Sequence, residues 1–139
     1  MTVGWFLKGL TQYADFHQRA RRREYWWFMV VGYLVILALL SFTAVTLGDA
    51  YEGWTFDPED VRLSGWIMIG LTLAVGAFLI VPTWAVTVRR LHDQEKSAWW
   101  LLFWFFLPIV ILVLACLDGT VGPNRYGPDP KELEREADV

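Results

Sequence analysis

The sequence predicts an all-α integral membrane protein with three transmembrane helices and an N-terminal amphipathic interfacial helix. Three observations carry that expectation. Uncharged apolar runs cover about residues 26–47, 64–88 and 98–117, and helices of such length reach across the ~30 Å hydrocarbon core at roughly 1.5 Å per residue. The boundary between the second and third runs is abrupt. Arg89-Arg90-Leu91-His92-Asp93-Gln94-Glu95-Lys96 is flanked on both sides by residues without charge, as in a chain that leaves a bilayer, turns among headgroups and re-enters. Apolar residues make up 55% of the 139 and charged ones 19%, a shift away from soluble composition. The whole of 1–130 reads as a single membrane domain, with 131–139 a polar tail.

Residues 3–16 set Val3, Phe6, Leu7, Leu10, Tyr13, Ala14 and Phe16 close to helical spacing on one face. Fourteen residues are too few to span, so an interfacial helix is expected, with a helix packed on the rest of the domain as the alternative. Arg19 to Arg23 then forms a basic cluster with Ala20 inside it, and Tyr25-Trp26-Trp27-Phe28 opens the first run. That run has no ionisable side chain except Tyr33. Its length and the basic segment before it argue against a cleaved signal peptide.

Gly48 to Leu63 is acidic, with Gly53 and Pro58 as turn residues. In the second run Gly70, Ala74 and Ala77 form a small-residue stripe that would admit another helix closely. Pro82 removes one backbone donor near its end. Pro108 falls in the middle of the aromatic third run. A kinked continuous helix and a break giving a re-entrant element are the two readings there. Beyond Leu117, the glycines and prolines of DGTVGPNRYGPDP predict a turn-rich loop over 118–130.

Charge distribution predicts orientation. With three spans, Lys8, Arg19, Arg21, Arg22, Arg23, Arg89, Arg90 and Lys96 share one side, against Arg62, Arg125, Lys131 and Arg135 on the other. The N-terminus is then cytoplasmic and 48–63 external. The C-terminus is external if the third run crosses, and cytoplasmic if that run is re-entrant.

For chemistry, His92-Asp93 beside Ser97 suggests a triad, but adjacent helical residues point about 100° apart, so no catalytic residue is assigned. A helix-end network is the competing role. If the second helix continues past Val88, Arg89 faces His92 and Asp93 while Arg90 faces Asp93 and Gln94. Arginine forks also bind phosphate. Arg19, Arg21, Arg22, Arg23, Arg89, Arg90, His92 and Asp93 are therefore the candidate lipid- or partner-binding set, with anionic membrane lipid as the expected ligand. Asn124, Arg125 and Asp129 are expected to form a local loop network. The two histidines and single cysteine lack metal-ligand spacing, so no metal or cofactor is expected. Nucleic-acid motifs are absent. A homo-oligomer is an expected assembly, and no protein partner can be named. The absence of Asp, Glu, Lys, Arg and His from the runs argues against a proton-coupled carrier. A small homo-oligomeric channel, or an enzyme acting on lipid headgroups, stand as alternatives to an accessory or interaction protein.

Three motifs occur in order: Arg19-Ala-Arg-Arg-Arg-Glu24-Tyr25-Trp26, then Arg89-Arg90-Leu91-His92-Asp93 with Ser97-Ala-Trp99-Trp100, then Gly122-Pro-Asn124-Arg125-Tyr126-Gly127-Pro128-Asp129-Pro130. As an ordered set they resemble the small bacterial inner-membrane family catalogued as "domain of unknown function 805", over about Phe6 to Pro130. The chain departs from that pattern at Gln18 and Ala98, where Gly is usual. The resemblance implies a bacterial inner-membrane location and no particular activity.

Overall fold

A computed structural model describes residues 2–52 and 55–132. The fold is helical: α1 (Thr2–Thr11), α2 (Arg22–Thr46), α3 (Leu63–His92), α4 (Phe103–Phe106) and α5 (Pro108–Cys116), with 3-10 turns at Gly48–Ala50, Pro58–Asp60 and Ala98–Leu102. A two-residue antiparallel pair, Tyr51 with Phe56 and Glu52 with Thr55, lies between α2 and α3. Among the described residues, two helices are long and apolar enough to cross a membrane, α2 and α3. Only 11% and 6% of their most apolar windows are buried. That separates them from the core helices of a soluble protein, whose apolar residues are inside.

The chain divides into two compact units, Val30–Ile80 and the combination of Met1–Met29 with Val81–Val139. In the first, the Thr43 and Thr72 hydroxyls meet at 2.9 Å and join α2 to α3. Near the connection, Gly65 fits under Val61 and Leu47, where a Cβ would be 2.9 and 3.2 Å from their side chains. Asp57 caps the Pro58–Asp60 turn by accepting the Glu59 amide at 2.9 Å. The expected small-residue stripe faces outward: Gly70, Ala74 and Ala77 are exposed, and a Cβ on Gly70 would meet nothing within 4 Å.

In the second unit, α1 packs on the start of α2. Phe6 stacks on Phe28 at 5.3 Å, and Gly9 approaches so closely that a Cβ there would collide with the Phe28 ring. Helix α1 stops at Thr11, short of the expected Phe16. Asp15 accepts the His17 amide at 3.0 Å, a local turn that competes with helical bonding.

Helix α3 passes Val88 and ends at His92, so the arginine pair occupies its last turn. Lys96 N–H then returns to the Leu91 carbonyl at 3.0 Å, with Glu95 at φ 60°.

The third apolar run is not one helix. It breaks at Leu107 (φ −149°, ψ 69°), and Pro108 begins α5. Proline disfavours helical backbone in the residue before it and suits the first position of a new helix. A short-armed hairpin stands where one continuous helix was the first of the two readings. The run begins directly after the turn that follows α3. It ends with the Ala115 and Leu117 carbonyls accepting from Arg90 of α3. Between these ends, Phe105 meets Trp84 edge-on at 6.3 Å, and Ile111 and Leu114 pack on Leu91 with Trp104 and Val110. Trp84 and Leu91 are separated by about 10 Å along α3. Neither arm has the length to cross a ~30 Å core.

Candidate functional site

The end of α3, the segment leading into α2 and the loop after α5 converge on one buried carboxylate, Asp93. Arg19 approaches from the N-terminal side, with Nε and Nη2 at 3.0 and 2.9 Å from Oδ1. Arg90, one turn back on α3, holds Oδ2. These three side chains are 2–3% exposed. Burial pushes the Asp93 carboxyl up, and the Arg90 and Arg19 charges pull it back down.

Each guanidinium also collects backbone carbonyls. Arg19 donates to Thr120 and Gly122, both at 2.7 Å. Arg90 donates to Ala115 at 3.3 Å, to Leu117 and to Ala20. The Ala115 and Leu117 oxygens belong to the C-terminal end of α5, where helix carbonyls lack internal partners and the dipole is negative. Arg90 therefore caps α5 as well as pairing with Asp93. The Thr120 amide donates to the Asp93 carbonyl at 2.8 Å. Gly119 passes so near the Asp93 carboxylate that a Cβ would collide with it.

A second buried pair lies alongside. Arg89 Nη1 donates to Glu24 at 3.0 Å and to Gln12. Lys8 reaches the other Glu24 oxygen at 2.9 Å. The Ala20 amide donates to the Arg89 carbonyl at 3.1 Å, so the basic segment before α2 is tied to α3 by backbone as well as by charge. The His92 ring lies flat on Tyr126, centroids 3.8 Å apart and planes 4° apart. Asn124 donates to the His92 carbonyl at 3.0 Å.

Of the eight expected binding residues, Arg19, Arg89, Arg90, His92 and Asp93 are buried among protein partners. Arg21 is half-buried, and Arg22 and Arg23 are exposed. Arg90 pairs with Asp93 as the helical spacing requires, whereas Arg89 turns to Glu24. In the loop, Asn124 accepts the Tyr126 amide at 2.9 Å and Asp129 the Gly122 amide at 3.0 Å. Arg125 reaches instead to the Glu95 carbonyl, at 2.6 Å. Arg22 bonds the Cys116 carbonyl at 3.2 Å and lies 3.6 Å from Asp118. A hydrogen bond from Lys131 holds the exposed Asp118 carboxyl below the usual range.

Sequence reasoning missed Glu24, Lys8, Gln12 and Gly119 as members. The one available signal was Glu24 itself, a lone acid closing a run of arginines. Chemically the arrangement clamps three chain segments. His92 and Asp93 have separate partners, and the gap beside Asp93, bordered by Gly119, Thr120, Asp129 and Lys131, has no room for a water-sized group.

A family model described as "Protein of unknown function (DUF805)" matches residues 13–128. The chain is 39% identical to the inner membrane protein YhaH of Escherichia coli (strain K12), covering 93% of this chain and 98% of that one. It is 37% identical to the inner membrane protein YhaI of the same strain, over 91% and 95% of the two chains. The uncharacterized protein YiiR is 26% identical, over 89% and 91%. No solved structure matches.

Proposed function

Because this chain belongs to the DUF805 family, described only as proteins of unknown function, we propose its role from its geometry: an inner-membrane accessory or interaction protein whose basic cytoplasmic face contacts anionic lipid. The inner-membrane location is taken from the names of the two more similar relatives. In this reading α2 and α3 cross the membrane, α4 and α5 dip into it and return, and α1 lies at the interface. The N-terminus, the turn after α3 and the loop after α5 then share the cytoplasmic side.

The observation that carries the reading is the division of labour among the arginines. Arg19, Arg89 and Arg90 are spent on buried internal partners, while at the head of α2 Arg23 is exposed and Arg22, beside Cys116 and Asp118, keeps 49% of its side chain exposed. Exposed guanidinium at the end of a span suits anionic headgroups. A channel is less well supported, since Thr43 bonds Thr72 and Thr87 bonds the Thr83 carbonyl of its own helix. An enzyme acting at His92 and Asp93 is less well supported because Asp93 is enclosed.

Native mass spectrometry from mild detergent tests the reading. Phosphatidylglycerol should be retained in preference to phosphatidylethanolamine, and the Arg22→Gln/Arg23→Gln variant should lose part of that preference. Equal retention of the two lipids by the parent protein would contradict it.

A further inference from the structure

One cleft adjoins the clamp and shares Lys8 and Arg19 with it, between α1, the segment Gln18–Arg21 and the loop Tyr126–Pro130. It measures about 520 Å³ and its polar lining is Lys8, Gln18, Arg19 and Arg21. Its walls are the Trp5 and Tyr126 rings with Pro128 and Pro130. No carboxylate lines it among the described residues. Glu24 and Asp93, which pair with Lys8 and Arg19, face inward behind it. The cations of its lining are Lys8, Arg19 and Arg21, the first two paired with Glu24 and Asp93, and Arg21 with contacts of its own. Asp129, between Pro128 and Pro130, is turned away to the Gly122 amide. A lining of cations next to a low-dielectric interior favours an anion.

The aromatic wall arranges the cations. Lys8 Nζ lies 5.6 Å from the Trp5 ring centroid and Arg21 Cζ lies 5.9 Å from it. Cation–π attraction holds both charges beside the same ring. An ammonium has three donors, and Lys8 gives one to Glu24. On the opposite wall, Tyr126 is stacked on His92, which fixes its ring.

We propose that this cleft binds a phosphate ester. The phosphate lies between Lys8 and Arg21 with Gln18 as a neutral donor, and the organic part lies against Trp5 and Tyr126. Arg21 immediately precedes α2, so in the membrane reading above, on which this inference rests, the cleft opens at headgroup level. A phospholipid headgroup and a water-soluble phosphate ester share the required chemistry.

The test uses the purified full chain in mild detergent, with two cleft variants. Gln18→Glu places a carboxylate in the cleft and removes no ion pair. Arg21→Gln removes one of its charges. Thermal midpoints establish that each is folded. Retained phosphatidylglycerol is counted by native mass spectrometry, and binding of glycerol phosphate is measured by calorimetry. A lost charge-assisted bond to phosphate corresponds to a fall of about tenfold or more, so both variants should bind the phosphate-bearing probe at least that much more weakly while melting like the parent. Arg22→Gln/Arg23→Gln, which weakens the lipid preference in the reading above, should keep parental glycerol phosphate binding. Lipid retained by the parent and displaced by millimolar glycerol phosphate supports a site open to soluble esters. Lipid that is not displaced supports a headgroup site. Glycerol phosphate binding without lipid preference supports the cleft while removing the lipid-contact reading. Unchanged binding in both cleft variants, with loss only in Arg22→Gln/Arg23→Gln, overturns the cleft and leaves the lipid-contact reading standing. Parent protein that binds neither probe also overturns it.

Discussion

Asp93 takes one guanidinium on each carboxylate oxygen, and its burial makes that arrangement consequential. Removing one partner of a buried ion pair leaves an uncompensated charge, at a cost of roughly 3–5 kcal/mol. Asp93→Asn should therefore lower the thermal midpoint in detergent sharply, whereas Asp118→Asn, at an exposed pair, should barely move it. The arginines differ in a testable way. Arg19 uses Nε, Nη1 and Nη2 on separate acceptors, which the single ammonium of lysine cannot reproduce. Arg89 directs only Nη1 to its two partners, and its buried Nε and Nη2 find none among the described residues. Arg19→Lys should destabilise by about 1–3 kcal/mol for the buried acceptors it abandons, and Arg89→Lys by clearly less. Equal shifts in the two midpoints would count against the fork at Arg19. The Arg90–Asp93 contact was legible in the sequence, because i,i+3 spacing on a helix is a local property. The Arg19–Asp93 and Arg89–Glu24 pairs were not, since they join residues 74 and 65 apart and no periodicity encodes such a meeting.

At the scale of elements, α2 and α3 follow from uninterrupted apolarity, and their ends follow from charge. The third run shows where that logic stops. Hydropathy over 98–117 is as high as in α2 and α3, yet one proline with a non-helical residue before it turns the chain back. Whether Pro108 bends a helix or begins a new one depends on what can hold the returning arm. Here Arg90 and Gln94 bond the carbonyls at the end of α5, and both lie outside the run. The packed face of α5 was equally hidden, because PIVILVLAC is apolar all round. The structure puts Ile111 inside at 2% exposure and leaves Leu112 at 49%. Ile111→Ala should cost about 2 kcal/mol or more, as large-to-small core changes do, and Leu112→Ala should be close to neutral by the same melting assay. The reverse order would mean that α5 packs by another face. The small-residue stripe at Gly70, Ala74 and Ala77 was legible as a pattern, but its outward direction was not, since the helix contact is made by Thr43 and Thr72.

At the scale of the whole molecule, the hairpin changes the charge distribution that orients the chain. If the third run returns, every Lys and Arg in the sequence except Arg62 falls on the N-terminal side. Such a bias is stronger than that of three spans and points more firmly to a cytoplasmic N-terminus. In that reading the three sequence motifs also share one side of the membrane, in keeping with their convergence on Asp93 and Arg89. The most direct test of this central claim is thiol accessibility in a Cys116→Ala background, with single cysteines at Glu59, Glu95 and Val121, all exposed positions. An impermeant maleimide applied to intact spheroplasts should label the Glu59→Cys protein alone, and in inverted vesicles it should label the Glu95→Cys and Val121→Cys proteins. Labelling of Val121→Cys in intact spheroplasts would mean that the third run crosses, and would contradict the re-entrant hairpin and the shared face built on it.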